Sequence, residues 1–344
     1  MDALSRLLAG KRVLLADGAM GTSLFARGLE SGGSPEFWNL ERPDQVRAVH
    51  QGFVDAGSDL LLTNSFGANR KRLALHGAEG RVAELNRAAA KLAREAGDAA
   101  GRPVLVAGDI GPTGEIFAPV GTFGAAEGEA VFAEQAAALA EGGVDLLWIE
   151  TISSAEELAA AVAGAARTGL PVVATMTFDT RGRTMMGLTC EAAMRLRDDL
   201  AVRPAAFGAN CGTGPAQLVE SVLGLMRAAS PGDVVVAKGN CGLPHYHDGE
   251  IRYDGTPEIM ADYACLARDA GARIIGGCCG TTPQHIEAMA LALATRAAGP
   301  PPDLATIERM LGPLAGEAPG PRLRAPRARS RRRGVAEREG QNLG

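Results

Sequence analysis

Three cysteines have the types and the setting to do chemistry. Cys278 and Cys279 are adjacent within Gly276-Gly277-Cys278-Cys279-Gly280, and Cys211 lies in Asn210-Cys211-Gly212. Adjacent residues of a regular strand point to opposite faces, so both thiols reach one ion only where the chain has left the strand. The flanking glycines permit such a turn. Three thiolates from two loops suit a soft or borderline ion such as zinc and leave one tetrahedral position open. Structural zinc sites close with four ligands and C-x-x-C spacing, which is absent here, so the pattern points to a catalytic ion. A thiol entering the open position becomes a thiolate, and three cysteine thiolates already over-neutralise the ion. The incoming sulfur stays electron-rich, which suits attack on a methyl group better than polarisation of a carbonyl. Cys190 and Cys265 read as buried thiols that pack like small hydrophobes.

The elements that must position these groups follow from the pattern of apolar residues. Short runs rich in β-branched residues predict strands at Val13–Asp17, Asp59–Thr63, Pro103–Gly108, Val144–Ile149, Pro171–Met176, Ala205–Asn210, Val234–Lys238 and Arg273–Gly277. Ala-rich stretches of helical period lie between them, among them Asp44–Ala56, Ala78–Gly97, Glu127–Gly142 and Ala155–Thr168. Ser153 and Ser154 can cap the last of these, and Thr281-Thr282-Pro283 opens another. Eight βα units predict a single (β/α)8 TIM barrel over residues 1–311, with a doubly wound open sheet as the runner-up.

In such a barrel the polar signatures gather on one rim. Asp17-Gly18-Ala19-Met20-Gly21, Thr63-Asn64-Ser65, Asp109 with Gly111-Pro112-Thr113, Glu150-Thr151, Asn210-Cys211-Gly212, Asn240-Cys241-Gly242 and the Cys278–Cys279 loop each follow a strand. Strand C-terminal ends are where barrel enzymes build active sites. Turn chemistry explains each motif alone, but not acids and thiols gathered at strand ends.

Composition narrows the setting. The 344 residues are 46% hydrophobic and 22% charged with a net charge of -5, which gives no overall attraction to nucleic acid or to a membrane surface. Arg327, Arg329, Arg331, Arg332 and Arg333 crowd a Pro/Arg-rich tail over 312–344 that lacks apolar periodicity and is expected to be disordered. Six irregularly spaced cysteines do not make a secreted disulfide scaffold. With no signal-like N-terminus and no uninterrupted apolar span, a cytoplasmic setting is expected.

At these residues the sequence resembles the homocysteine S-methyltransferase family, which includes betaine–homocysteine methyltransferases and the homocysteine module of cobalamin-dependent methionine synthase. The matching stretches are Asp17–Thr22, Asp55 through Phe66, Gly111-Pro112-Thr113, Ile149-Glu150-Thr151, Gly208–Cys211 and Gly276–Pro283, which together span roughly residues 10 to 295. The resemblance implies methylation of homocysteine to methionine, with zinc on Cys211, Cys278 and Cys279. It implies that Asp17 and Glu150 face the homocysteine ammonium, and that Gly18, Thr63, Asn64 and Ser65 line the pocket. Cys241 departs from the expected ligand set; it packs beside the site or serves as a fourth ligand.

Two methyl donors fit the resemblance. Pro35-Glu36-Phe37-Trp38 resembles the segment that supplies a donor-side tryptophan in betaine enzymes, with Phe66 as a second aromatic; a quaternary ammonium calls for such a cage. Betaine is therefore the first expectation. Against it, Gly67 and Thr151 stand where those enzymes carry tyrosines, and Glu150-Thr151 and Asn240-Cys241-Gly242-Leu243-Pro244 look closer to the cobalamin enzyme. A methylcorrinoid protein is the alternative donor, since no Asp-x-His-x-x-Gly corrinoid motif is present. A barrel enzyme acting on a phosphorylated substrate is a distant third reading. Cysteines in the eighth loop and the lack of a nearby Lys/Arg cluster count against it. The oligomeric state is left open.

Overall fold

The computed structural model describes residues 2–179, 182–242, 244–247 and 250–314. Residues 315–344, most of the expected tail, lie outside them. Eight parallel strands follow one another around a barrel: β1 (Leu14–Leu15), β2 (Leu60–Leu62), β3 (Leu105–Ile110), β4 (Leu146–Ile152), β5 (Val172–Met176), β6 (Ala206–Cys211), β7 (Val235–Gly239) and β10 (Ala272–Gly277). β1 pairs with β10, and a parallel bridge from Ala16 to Leu60 brings the two ends of the order together. Sequential neighbours all around exclude the doubly wound sheet, whose strand order reverses at a switch point. The eight strands lie at the eight expected positions, their ends shifted by at most three residues.

Helices Pro43–Asp55, Val82–Asp98, Ala125–Glu141, Ala155–Ala166, Cys190–Asp199, Pro215–Met226, Pro257–Asp269 and Pro283–Thr295 return the chain between strands and cover the barrel. Ser154 caps its helix by accepting from Glu157 N, and Thr282 stands at the N-cap before Pro283. The final helix, Leu304–Leu311, ends where the apolar pattern stops.

The interior is a packed core. Leu14, Ala16, Leu60, Leu62, Leu105, Ala107, Leu146, Trp148, Val173, Ala206, Val236 and Ile274 form one buried cluster. Leu4 joins it from helix Ala3–Gly10. One feature was not expected: an antiparallel hairpin, β8 (Pro244–His247) with β9 (Glu250–Tyr253), between β7 and its helix. Its strands are four residues long and one opens with proline, too short to leave a readable alternation. Among the described residues no helix is long and apolar enough to cross a membrane.

Candidate metal and substrate site

The inward register of the core continues upward in steps of two, and there it changes character. Above Leu105 and Ala107 comes Asp109; above Leu146 and Trp148, Glu150; above Val173, Thr175; above Val236, Lys238. From Ala206 and Ile274 two such steps lead to Asn210 and Cys278. All six are buried. The apolar core is thus roofed by polar and ionisable side chains at the C-terminal ends of the strands.

The thiols gather on one side of this roof. The Sγ atoms of Cys211, Cys278 and Cys279 all lie within 4.8 Å of one another, and Cys211 Sγ is 3.3 Å from Cys278 Sγ. β10 ends at Gly277, so both members of the adjacent pair lie beyond the strand. Cys211 itself has φ +61°, an unusual left-handed turn for a residue with a side chain. Asn240 ties the two thiol loops together, its Nδ2 donating to Gly212 O (2.7 Å) and its Oδ1 accepting from Cys279 N (3.0 Å). Hydrogen bonds from Cys211 and Cys278 pull the Cys279 thiol down to about 3, while those shared bonds and burial hold Cys211 well above the usual thiol range. The cluster therefore shares one negative charge among three close soft donors, and this donor set fits a zinc-like cation.

The carboxylates gather around Lys238. Asp17 Oδ2 accepts from Leu62 N (2.8 Å), but Oδ1 has no hydrogen-bond partner and stands 3.6 Å from Lys238 Nζ. Glu150 Oε2 is equally bare, 3.9 Å from the same ammonium, and Asp109 Oδ1 has no partner. Burial pushes Asp17 and Glu150 up to about 7 and Asp109 well above its ordinary value; the Lys238 charge opposes this. Buried polar atoms are nearly always paired, so three bare carboxylate oxygens around one lysine set this rim apart from the rest of the interior.

Gly18 has a steric task. A Cβ there would lie 2.5 Å from Thr281 O and 2.7 Å from the Phe53 ring. Its absence lets the Asp17 loop lie against the thiol loop, where Ala19 N donates to Thr281 O and Gly277 N to Asp17 O.

Thr63, Asn64 and Ser65 are buried at the end of β2 with their polar atoms already engaged. Thr63 Oγ1 accepts from Asp109 N (2.9 Å) and meets Ser65 Oγ (2.6 Å), which donates to Asp109 O (2.7 Å). Asn64 Nδ2 donates to Pro35 O and Asn39 Oδ1. These side chains brace β2 to β3 and to the segment around Trp38.

Trp38 is 8% exposed in the main core, with the Arg42 guanidinium 5.5 Å above its ring. Phe66 is half-buried, its ring filling the space that a Cβ on Gly111 would need. Gly67 N donates to Glu36 Oε1, and a Cβ on Gly67 would sit 2.8 Å from that oxygen. Cys241 turns away from the other thiols: its Sγ donates to Gly255 O (3.0 Å) and lies 3.3 Å from His285 Nε2.

Sequence reasoning placed Asp109, Asn210 and Asn240 on the rim without giving them a role, and it did not single out Lys238. A signal existed for Lys238, a lone charge closing an otherwise apolar strand, and for Asp109, which ends the third run in the same way.

A family model described as homocysteine S-methyltransferase matches residues 14–293. Among curated relatives, the methionine synthases of Mycobacterium tuberculosis and Mycobacterium leprae are 34% and 32% identical over 302 and 305 residues. Each match covers 83% of this chain but 25% and 24% of the relative, so the chain spans about a quarter of their length. The solved structure of the Escherichia coli homocysteine methyltransferase MmuM in its metallated form is 28% identical with a TM-score of 0.70, covering 84% of this chain and 99% of that one. Its oxidised form gives 27% identity and a TM-score of 0.71 over the same shares.

Proposed function

The chain belongs to the homocysteine S-methyltransferase family, and from that premise we propose that it methylates the sulfur of homocysteine to form methionine at the thiol–carboxylate roof of its barrel. The observation that carries this reading is the meeting of three mutually close thiols with three bare buried carboxylate oxygens on one rim. Cys211, Cys278 and Cys279 would hold zinc, which when bound favours the thiolate form of an incoming thiol and keeps its sulfur nucleophilic.

The carboxylates account for the other end of the substrate. Asp17, Glu150 and Asp109 offer three buried carboxyl groups with unpaired oxygens beside the single Lys238, so the α-ammonium of an amino acid supplies the missing hydrogen-bond donors and favours their charged forms. Lys238 keeps the group from being wholly uncompensated while the site is empty. Thr63 and Ser65 fix the backbone of Asp109, and Gly18 lets the ammonium site and the thiol site adjoin. Substrate thiol and ammonium are thereby held by different strands, which orients the sulfur toward the barrel mouth.

For the donor, the covered face of Trp38 weighs against betaine. A trimethylammonium group needs an open aromatic face, and Arg42 already stands over this one with a like charge. A Cβ at Gly67 would press on Glu36, so the glycine there keeps the Gly67–Glu36 bond and leaves the mouth without a tyrosine. A methylcorrinoid carried on another protein is the donor this favours. The test offers metal-loaded protein homocysteine with methylcobalamin, betaine or S-methylmethionine and follows methionine. Turnover with methylcobalamin is expected. Turnover with betaine alone would overturn the donor assignment, and no methionine from any donor would overturn the reading of the site.

A further inference from the structure

Two non-glycine residues among those described hold left-handed backbone, Thr151 at φ +64° and Cys211 at φ +61°. Such a conformation is costly for any side chain and most so for a β-branched one, so the surroundings must impose it. Both residues adjoin a group of the proposed site: Thr151 follows Glu150, and Cys211 is itself one of the thiols. One side chain serves both places. Asn210 is fully buried directly before Cys211. Its Oδ1 accepts from Thr151 N (2.8 Å) and from Thr175 Oγ1 (2.7 Å). Its Nδ2 donates to Thr151 Oγ1 (2.8 Å) and reaches Cys278 Sγ at 3.9 Å.

This amide therefore grips Thr151 at two points, backbone and hydroxyl, where the pairing of β4 with β5 breaks register between Ile149 and Ile152. The break falls at Glu150 and Thr151, so the grip on Thr151 fixes the backbone beside Glu150, whose inward place continues the alternation from Leu146 and Trp148. The same amide touches the Cys278 sulfur with a donor, and the residue carrying it leads straight into Cys211. Strands β4, β5 and β6 and the loop after β10 meet on a single planar group with no polar atom left over. A hydroxyl or an aliphatic side chain at this place could not satisfy two acceptors and two donors at once.

We propose that Asn210 is a positioning residue that sets the thiol cluster and the ammonium-binding carboxylate together, so that metal affinity and amino-acid affinity stand or fall on one amide. The inference rests on the thiol and ammonium sites proposed above. Its consequence is that damage at Asn210 spreads to both ends of the substrate, whereas damage to an ordinary buried amide would lower stability alone. Outer groups that orient metal ligands commonly contribute 10- to 100-fold to metal affinity, which sets the scale expected here.

The experiment uses the full chain as Asn210→Ala, Thr151→Val and Asn210→Ala/Thr151→Gly, with melting curves as the check on folding. Metal binding is read with cobalt(II) by competition against a chelator and by the sulfur-to-cobalt charge-transfer band. Amino-acid binding is read with homoserine, which carries the same ammonium without the thiol. Asn210→Ala is expected to weaken cobalt and homoserine each by about tenfold and to shift the band, since Cys278 loses a donor. Thr151→Val, which keeps the shape of threonine but removes the hydroxyl, should weaken homoserine and leave cobalt within about twofold. Glycine at 151 accepts the left-handed turn unaided, so the double variant should recover homoserine affinity while cobalt stays weak. Asn210→Ala with both affinities at wild-type level, or with only the melting temperature lowered, would overturn the proposal. Should Asn210→Ala not fold, Thr151→Val with unchanged homoserine affinity would do so. A wild-type chain that takes up no cobalt would instead overturn the thiol site on which the proposal stands.

Discussion

At the N-terminal end of the barrel, Asp59, Asp145 and Asp233 stand just ahead of β2, β4 and β7, and each meets a cation and a backbone N–H. Asp59 accepts from Lys11 Nζ (2.5 Å) and Leu15 N (3.0 Å), Asp145 from Arg94 (2.6 Å) and Val106 N (2.8 Å). Asp233 takes Ser230 N (2.8 Å), Arg203 (2.7 Å) and the buried Arg197 (2.9 Å). At the other end, Asp17, Asp109 and Glu150 carry bare buried oxygens around one lysine that is 3.6 Å from Asp17 and 3.9 Å from Glu150. The residue type is the same and the condition opposite. Completed ion pairs at the bottom serve the fold; incomplete ones at the top can be completed only by something that enters. The contrast separates stability from function along one molecule, and it can be broken or sharpened by substitution at either end.

The largest effect belongs to the thiols. Cys278→Ser should lower metal affinity by more than the roughly 100-fold that loss of an outer-shell partner can cost, and methionine formation should vanish with it. Metal content after dialysis checks this, and full occupancy would remove Cys278 from the ligand set. Next comes the bottom of the barrel. Asp233→Asn leaves Arg197, whose side chain is 3% exposed, with Asp198 as its remaining carboxylate, and should cost about 1.5–3 kcal/mol in denaturant unfolding. Homocysteine affinity should not change, and a matching loss of affinity would blur the division between the two ends.

Glu150→Gln is the counterpart at the top. It should weaken homocysteine binding by about 1.5–3 kcal/mol while leaving unfolding free energy level or higher, because a bare buried carboxylate is removed. Calorimetric titration and denaturant unfolding of the same variant give both readings.

The most gradual effect is a slope with pH, small over any one unit. The folded Asp17 carboxyl, pushed up by burial to about 7 from 3.8, keeps a proton that the unfolded chain sheds. With more protons on the native state, stability falls as pH rises from about 4 to 7, by no more than one proton's worth, ~1.4 kcal/mol per pH unit. Asp17→Asn should flatten that slope. Asp233 has the opposite sign: although burial alone would raise it, Ser230 N–H and Arg197 hold it low, so its contribution is present above 3.8 and lost as acid titrates the folded form. A pH–stability curve of Asp17→Asn with the wild-type slope would count against the bare-carboxylate account.

The barrel was legible because a parallel sheet is buried on both faces, which leaves continuous apolar runs such as Leu146–Ile149 between amphipathic helices. The thiol loops were legible because adjacent cysteines between glycines have few other uses. Lys238 was not, since only barrel closure shows that a strand's last residue points inward rather than out, and Asp109 was placed on the rim without its part beside that lysine. Thr63, Asn64 and Ser65 were read as pocket lining, and their hydrogen bonds to Asp109, Pro35 and Asn39 could not be foreseen. No periodicity reports a partner that lies 25 to 46 residues away. Trp38 was read as a donor-side aromatic; the short helix Trp38–Glu41 brings Arg42 over its ring, a placement that no sequence period announces.

The most direct measurement is the absorption spectrum of the cobalt(II)-loaded chain titrated with homocysteine. If the three thiols and the bare carboxylates form one site for this amino acid, a fourth sulfur joins the ion, and the charge-transfer band grows to a one-to-one endpoint. Glu150→Gln should need more homocysteine to reach the same spectrum, and homoserine should leave the band without growth. A band that does not grow with homocysteine, in protein that has taken up the metal, would contradict the account.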